Sequence, residues 1–500
     1  MKNTDNYFDG MISKEEGDRL PYLETIPKLL EKCSNDYKDK PALSDDNLSL
    51  TYLELLENIK KRINLLNSKN IGQGAHVAVM CRNNTDAMCW LLAIPASGRV
   101  VMMLPCTFTA EMLEKTVENY DIEAVVAEKC FISLTDKLTI PVMDAADCGE
   151  ALSDFGDVKK DTTAAIFLTG GTTGRAKGVV LSHGALMRGA KNGTYKPSGE
   201  VFDNITVVML PLSHIFGTVT AFLSCLYTGS EIHGCNDVKS GVTMIPRIKP
   251  TLLVLVPGIV EIILNLAKLK GAEFLGDLRT IQCGGAPVPK RLIKEARKYN
   301  INLYPGYGMT EGANLTSANV DLETKPHSMG KIYPLQEAKI VEGELWIRGD
   351  NLMKGYYKDP EATKKALTGD GWFKTGDLAS FDEEGFITII GRKDNLIVLP
   401  SGENISPEEL EDIFNRSDLI QDCLVKESLV NNQSVLSIEI LPLMQAFEQK
   451  SWDEVVDLVM DEVKKINETL PAFKQINNVV VRKEDFKRTP ALKIDRLKEK

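Results

Sequence analysis

The sequence predicts an α/β chain: a large N-terminal domain of layered α/β units with a small β-barrel-like part, followed by a smaller, mobile α+β domain. Three observations carry that expectation. Short apolar runs at 76–80, 100–104, 124–127, 206–210 and 251–256 alternate with longer helical patterns, which argues for mostly parallel sheet covered by helices. From Glu342 the texture changes to short strands set off by glycine turns, at 344–349, 371–378 and 385–391, as in a small antiparallel sheet or barrel. After Gly391-Arg392-Lys393-Asp394-Asn395 the pattern becomes compact α+β, so the boundary is expected there, giving domains 1–390 and 391–500.

Taken in order, residues 52–66 place Leu53, Leu55, Leu56, Ile59, Ile63 and Leu66 near a period of 3.6, which predicts a helix with an apolar face on the core. The most apolar stretch, 251–267, is broken by Pro257-Gly258 and charged at Glu261; it reads as strand, turn and helix and is not expected to span a membrane. Ser406, followed by Pro407-Glu408-Glu409, supplies a cap and an acidic first turn for a helix, and strands are expected at 433–441 and 478–481. No repeat or low-complexity tract interrupts this order, and no carrier-protein domain is expected beyond Lys493.

With 500 residues the chain is too long for one core, and two or three domains are expected. Its 59 basic and 70 acidic residues leave a net charge of -11, which offers no broad field for nucleic acid or anionic lipid, so any anionic ligand must be met by a local site. Ten scattered cysteines without a CxxC pair, beside only five histidines, read as reduced cytosolic thiols and not as a disulfide framework or zinc site. The polar, acidic start lacks the apolar segment of a signal peptide, so a cytoplasmic location is expected.

The chemistry concentrates in Thr169-Gly170-Gly171-Thr172-Thr173-Gly174-Arg175-Ala176-Lys177-Gly178, which comes after an apolar strand-like run at 164–168. Glycines let successive backbone N–H groups converge on an anion, threonine hydroxyls add donors, and Lys177 brings a mobile positive charge: a phosphate loop. The ordinary P-loop fits poorly, because Lys177 is succeeded by Gly178-Val179-Val180-Leu181, a strand pattern, with no Ser or Thr beside it for magnesium. A flexible turn between two strands is the plain alternative. A second cluster, Tyr304-Pro305-Gly306-Tyr307-Gly308-Met309-Thr310-Glu311-Gly312, sets an aromatic, a hydroxyl and a carboxylate on one tight turn.

With these motifs the chain resembles, over nearly its whole length, the adenylate-forming ligases: acyl-CoA synthetases, luciferases and peptide-synthetase adenylation domains. Their signature loop is Thr-Ser-Gly-Thr-Thr-Gly-x-Pro-Lys-Gly; Gly170-Gly171 and Ala176 depart from it, and the Gly-Gly form is familiar among long-chain fatty acyl ligases. The resemblance implies that Thr169, Gly170, Gly171, Thr172, Thr173, Gly174 and Lys177 hold the nucleotide phosphates. It implies that Tyr307 stacks on adenine beside Gly306 and Gly308, that Thr310 donates to the α-phosphate, and that Glu311 holds the magnesium that neutralises departing pyrophosphate. Cys283-Gly284-Gly285-Ala286 resembles the adenine-side wall, where small residues admit the nucleotide. Asp377 resembles the carboxylate that accepts from both ribose hydroxyls, and Arg392 the arginine on the same sugar.

Lys493, in Thr489-Pro490-Ala491-Leu492-Lys493, aligns with the catalytic lysine that bridges the attacking carboxylate and the α-phosphate, with Leu492 where the family commonly has glycine. Two anions must meet before the acyl phosphate bond forms, and a unit positive charge about 4 Å away is worth on the order of 4 kcal/mol at an effective dielectric near 20. Pro211-Leu212-Ser213-His214-Ile215-Phe216 resembles the segment that lines the acyl pocket, giving His214 and Phe216, with Gly285 and Gly308, a wall or gating role. Asp394 resembles the hinge about which the C-terminal domain rotates once acyl-adenylate has formed; Gly402 then lines the pantetheine tunnel.

The resemblance therefore implies a magnesium- and ATP-dependent acid–thiol ligase. Carboxylate and ATP give acyl-AMP and pyrophosphate, and a thiol displaces AMP. The expected acid is a medium- or long-chain fatty acid and the expected thiol CoA. Two alternatives stay open: a stand-alone enzyme loading an acyl, aryl or amino acid onto the phosphopantetheine of a separate acyl or peptidyl carrier protein, and a non-catalytic nucleotide-binding relative. Intact Lys177, Glu311, Asp377, Arg392 and Lys493 speak against the last, while a hydrolase or zinc protease is disfavoured for want of GxSxG or HExxH.

Overall fold

The computed structural model describes residues 12–169, 176–197, 199–398, 403–430, 433–488, 494–496 and 498–499. Parallel pairing dominates where the apolar runs alternate with helices. Thr163–Thr169, Val100–Met103, His76–Met80, Ile122–Ala127 and Val142–Asp144 lie side by side in that order, all parallel. Lys177–Ser182 and Gly355–Tyr356 extend this sheet antiparallel at one edge. Side chains alternate across it: Val77 and Val79 enter the main core, while Ala78 and Met80 enter a second apolar cluster on the opposite face. Both faces are covered, which is why the strand reads as one continuous apolar run.

The helix Tyr52–Ser68 starts where its sequence says it should, with Thr51 and Glu54 exchanging hydrogen bonds as a capping box. Leu55, Ile59, Ile63 and Leu66 are buried, but Leu53 is 43% exposed, one step off the stripe. Arg62 is fully buried on this helix instead, its guanidinium bonded to Asp86, Asn58 and the Ala145 carbonyl, so a charged residue fills a core position by carrying its own partners.

The run at 251–267 resolves into the strand Leu252–Leu255 and the helix Pro257–Lys270, whose first turn holds Pro257, where a missing N–H costs nothing. That strand heads a second sheet, pairing parallel with Thr280–Cys283 and through it with Asn302–Met309, then antiparallel with Asn314–Ala318 and Lys331–Ile332. A third sheet joins Ser49–Thr51, Pro41–Ser44, Glu231–Gly234 and Ile205–Val208. The glycine-punctuated region forms a four-stranded antiparallel sheet, Glu337–Val341, Glu344–Arg348, Phe373–Phe381 and Ile387–Arg392. The main hydrophobic core runs from Ile12 to Ile387, and a separate core begins at Ile397 and ends at Ile476. Around the latter, Ser406 caps the helix Pro407–Phe414, the helix Trp452–Glu468 packs, and Ile420–Val430, Gln433–Pro442 and Asn478–Val481 form a sheet. Among the described residues no helix is long and apolar enough to cross a membrane.

One buried group ties this fold to pH. His183 opens the helix His183–Gly193 with no exposure, and its Nδ1 accepts from Ile26 N at 3.3 Å, satisfying a first-turn amide of the helix Ile26–Tyr37. Burial pushes its imidazole down to about 4. Below the ordinary histidine value the unfolded chain takes up a proton that the folded chain refuses, so stability falls as pH falls through that window. Roughly 2 kcal/mol is expected to be lost between about pH 7 and pH 5. Urea midpoints at the two pH values should move less in a His183→Asn variant, which keeps an acceptor for Ile26 N and does not titrate.

Candidate active site

The strand hairpin Thr163–Thr169/Lys177–Ser182 brings Thr169 directly opposite Lys177, and Thr169 Oγ1 donates to the Lys177 carbonyl at 3.4 Å. From Lys177 the chain continues as a strand, as its apolar pattern predicts and as an ordinary P-loop would not. The loop residues Gly170, Gly171, Thr172, Thr173 and Gly174 lie outside the described residues, as do Gly402 and Lys493.

Beside this hairpin the two-residue strand Gly355–Tyr356 pairs with Val179 and Val180 and supplies a residue that the motifs had not singled out. Lys177 Nζ sits 4.8 Å from the centre of the Tyr356 ring, and Tyr356 OH donates to Glu311 Oε1 at 2.9 Å. The Met353 amide donates to the Glu311 carbonyl at 2.8 Å, which fixes the turn Thr310–Gly312 from below. Burial, and then the Glu311 carboxylate, push the Tyr356 phenol far above its ordinary value, while the charge of Arg392 works against that rise. Tyr356 is thus a neutral bridge between a cation and an anion, within reach of a second cation.

That second cation belongs to a cross-strand pair. Asp377 and Arg392 stand opposite each other in the antiparallel sheet, with Arg392 Nη1 donating to Asp377 Oδ1 at 2.9 Å and to the Thr375 carbonyl at 3.2 Å. Tyr307 OH donates to the other carboxylate oxygen. Burial, reinforced by Asp377, holds the Tyr307 phenol well above its usual value, so it remains a donor. Two backbone devices aim these groups. The ladder of Asn302–Met309 with Asn314–Ala318 shifts register between Tyr307 and Gly308, a bulge that turns the tyrosine toward the antiparallel sheet. Gly376 has φ +72° and a Cβ there would lie 3.1 Å from Arg392 Nη2, so only glycine combines that backbone with the close guanidinium.

Gly284 marks the other side of the same strand end: a Cβ on it would stand 3.1 Å from the Gly306 carbonyl and 3.3 Å from the Phe216 ring. Gly285, exposed, and Ala286, half-buried, come next. Phe216 is 5% exposed and opens a wholly buried π-helix, Phe216–Leu223; with Cys283 and Gly306 it walls a cavity of about 20 Å³. His214 is exposed and is not part of that wall; its Nδ1 accepts from Phe216 N at 3.3 Å. Asp394 is exposed in the short 3-10 turn Lys393–Asn395, its charge reaches Arg392, and in sequence it falls between Ile387, the last residue of the main core, and Ile397, the first of the second.

An α/β chain that gathers Lys177, Tyr356, Glu311, Tyr307, Asp377 and Arg392 where its parallel strands meet an antiparallel sheet has the build of an adenylate-forming enzyme. The profile of the AMP-binding enzyme family matches residues 30–357, and that of the AMP-binding enzyme C-terminal domain matches residues 394–498. The chain is 26% identical to the putative acyl-CoA synthetase YngI of Bacillus subtilis over 95% of this chain and 96% of that one. It is 28% identical to a 2-succinylbenzoate–CoA ligase of Oceanobacillus iheyensis, over 81% of this chain and 87% of that one. A solved anthranilate CoA ligase, AuaEII, in complex with anthranoyl-AMP, shares the fold with a TM-score of 0.84 at 18% identity, covering 96% of this chain and 98% of that one. The chain belongs to the AMP-binding enzyme family. By class it is an AMP-forming acid–thiol ligase.

Proposed function

We propose that this chain activates a carboxylic acid with ATP and passes the acyl group to CoA. The observation that carries this reading is the pair of constellations above: Lys177–Tyr356–Glu311 on one side and Tyr307–Asp377–Arg392 on the other. A carboxylate with both oxygens already oriented by Tyr307 and Arg392 keeps lone pairs for a ribose cis-diol. The Tyr307 ring, with Gly284, Gly285, Ala286, Gly306 and Gly308 around it, would take the adenine. Lys177, Thr310 and the glycine-rich loop would meet the phosphates.

Glu311 fits magnesium: a single carboxylate plus nucleotide phosphates is a common donor set for this ion. Bound there, magnesium would neutralise charge on the departing pyrophosphate. Lys493, brought by a C-terminal domain that begins near residue 391, would sit between the two reacting anions. Asp394, exposed and falling in sequence between the two cores, would be the hinge that withdraws Lys493 and brings Gly402 toward the incoming thiol.

For the acid, the Oceanobacillus relative is named for 2-succinylbenzoate, and a ring-bearing acid of that kind is the first reading here. The motif wording at Gly170-Gly171 and around Thr489-Pro490 favours a medium- or long-chain fatty acid as the second reading. Pyrophosphate release from ATP, measured across aliphatic, aryl and amino acids with and without CoA, decides between them. Acid-dependent release with acyl-CoA as product is expected. Adenylate that CoA cannot discharge would point to carrier-protein loading, and silence from every acid would overturn the reading.

A further inference from the structure

The floor of the cavity beside Phe216 carries a group that adenylation does not use. Lys196 leaves the end of the helix His183–Gly193 and is 1% exposed, yet it lines the cavity together with Gln282, Tyr195, Tyr304 and Tyr333. An ammonium has three donors, and this one has a single hydrogen bond among the described residues, to the Gly193 carbonyl at 3.2 Å. It has no ion pair among them. Glu200, whose charge reaches it, is engaged elsewhere: Oε1 accepts from Asn302 Nδ2 at 3.0 Å and Tyr304 OH at 3.3 Å, and Oε2 from Thr280 Oγ1 at 2.5 Å. Gln282 is 8% exposed and its buried side-chain oxygen has no partner among the described residues, so the same wall holds a second polar group with capacity to spare. Its amide can turn to offer either the oxygen or the NH2 group.

An unpaired buried cation is costly, and burial lowers the pKa of Lys196 accordingly. Four aromatic rings, Tyr195, Phe216, Tyr304 and Tyr333, share the lining with Lys196 and Gln282, and the cavity also reaches Cys283 and Gly306, on the strands beside which the acyl group would enter.

We infer that Lys196 is a specificity-determining residue that receives the far end of the acid substrate, and that this end carries a hydrogen-bond-accepting oxygen, a second carboxylate or a carbonyl. The inference rests on the acid-activating reading above and names its substrate class. An anionic or carbonyl oxygen would complete the ammonium's donors and replace the counter-ion the fold withholds, whereas a terminal methyl would leave the charge desolvated and alone.

The test compares acids of matched length ending in a carboxylate, a methyl ketone or a methyl group, read as kcat/KM for pyrophosphate release. The unchanged chain should favour the oxygen-ended acids by about 10- to 100-fold, chiefly through KM for the acid. In Lys196→Met that ratio should collapse to about threefold or less, with KM for ATP held. Comparison of the carboxylate and ketone arms tells an anion from a neutral acceptor. An unchanged ratio in Lys196→Met, or a preference of the unchanged chain for the methyl-ended acid, overturns the inference and leaves acid activation standing. Release with no acid overturns both. If Lys196→Met does not fold, the preference of the unchanged chain decides alone.

Discussion

A Lys493→Ala variant is expected to release pyrophosphate from ATP and acid about a thousandfold more slowly than the unchanged chain. The magnitude comes from charge alone: on the order of 4 kcal/mol at about 4 Å and an effective dielectric near 20 corresponds to roughly three decades of rate. The flanks of Lys493 are anchored in a way the substitution leaves intact. Arg488 and Ile494 form a bridge, Arg488 pairs with Asp422 at 3.1 Å, and Ile494 packs against Leu424, Leu441 and Phe486. Loss of activity should therefore come without loss of fold, with a melting temperature within about 2 °C of the unchanged chain. If the domain rotates about Asp394 between half-reactions, the same variant supplied with ready-made acyl-AMP should form acyl-CoA at close to the full rate. A thousandfold loss in both half-reactions would locate Lys493 outside this role, as would adenylation at the normal rate.

The sequence made the sheets legible where patterning is strong. The run 76–80 is the strand His76–Met80 to the residue, and 478–481 is the strand Asn478–Val481, because both are short runs rich in β-branched residues and bounded by polar or turn residues. The strand after Lys177 was readable for the same reason, and it separated this loop from a P-loop. Tyr356 was not readable: a two-residue strand has no period, and its value comes from lying beside Val179 and under Lys177, far away in the sequence. Lys196 and Arg62 escaped for a related reason. Lysine and arginine are read as solvent-facing, and only the assembled core shows one ion-paired and the other left over. The π-helix Phe216–Leu223 carries no signal of its own, since an apolar run of that length fits several backbone forms. Asp377 and Arg392 were separately visible as motif residues; that they face one another across a ladder, with Tyr307 on the second oxygen, is a matter of register.

That shared carboxylate makes Asp377→Ala the second large effect. Removing it takes away the acceptor for two ribose hydroxyls, each hydrogen bond to a charged group being worth about 1.5–3 kcal/mol, so kcat/KM for ATP should fall on the order of 100-fold or more. It also releases two donors. Tyr307 OH loses this acceptor and keeps the Thr375 side chain beside it, while Arg392 keeps the Thr375 carbonyl; the Arg392 side chain is 40% exposed, so water screens most of the remaining charge. The stability loss should stay near 1–2 kcal/mol, small beside the kinetic effect. Loss of orientation and loss of a ribose contact can be told apart with 2′-deoxy-ATP. The unchanged chain should discriminate against it by about tenfold, and Asp377→Ala should scarcely discriminate at all, because the contact that senses the 2′-hydroxyl is gone. Discrimination that survives the substitution would mean that Asp377 acts only by holding Tyr307 and Arg392 in place, and the ribose would then have to be read by another group in the cradle. KM for the acid should not move in either case, since the cavity beside Phe216 lies behind Gly284 and Gly306 and has no wall in common with Asp377.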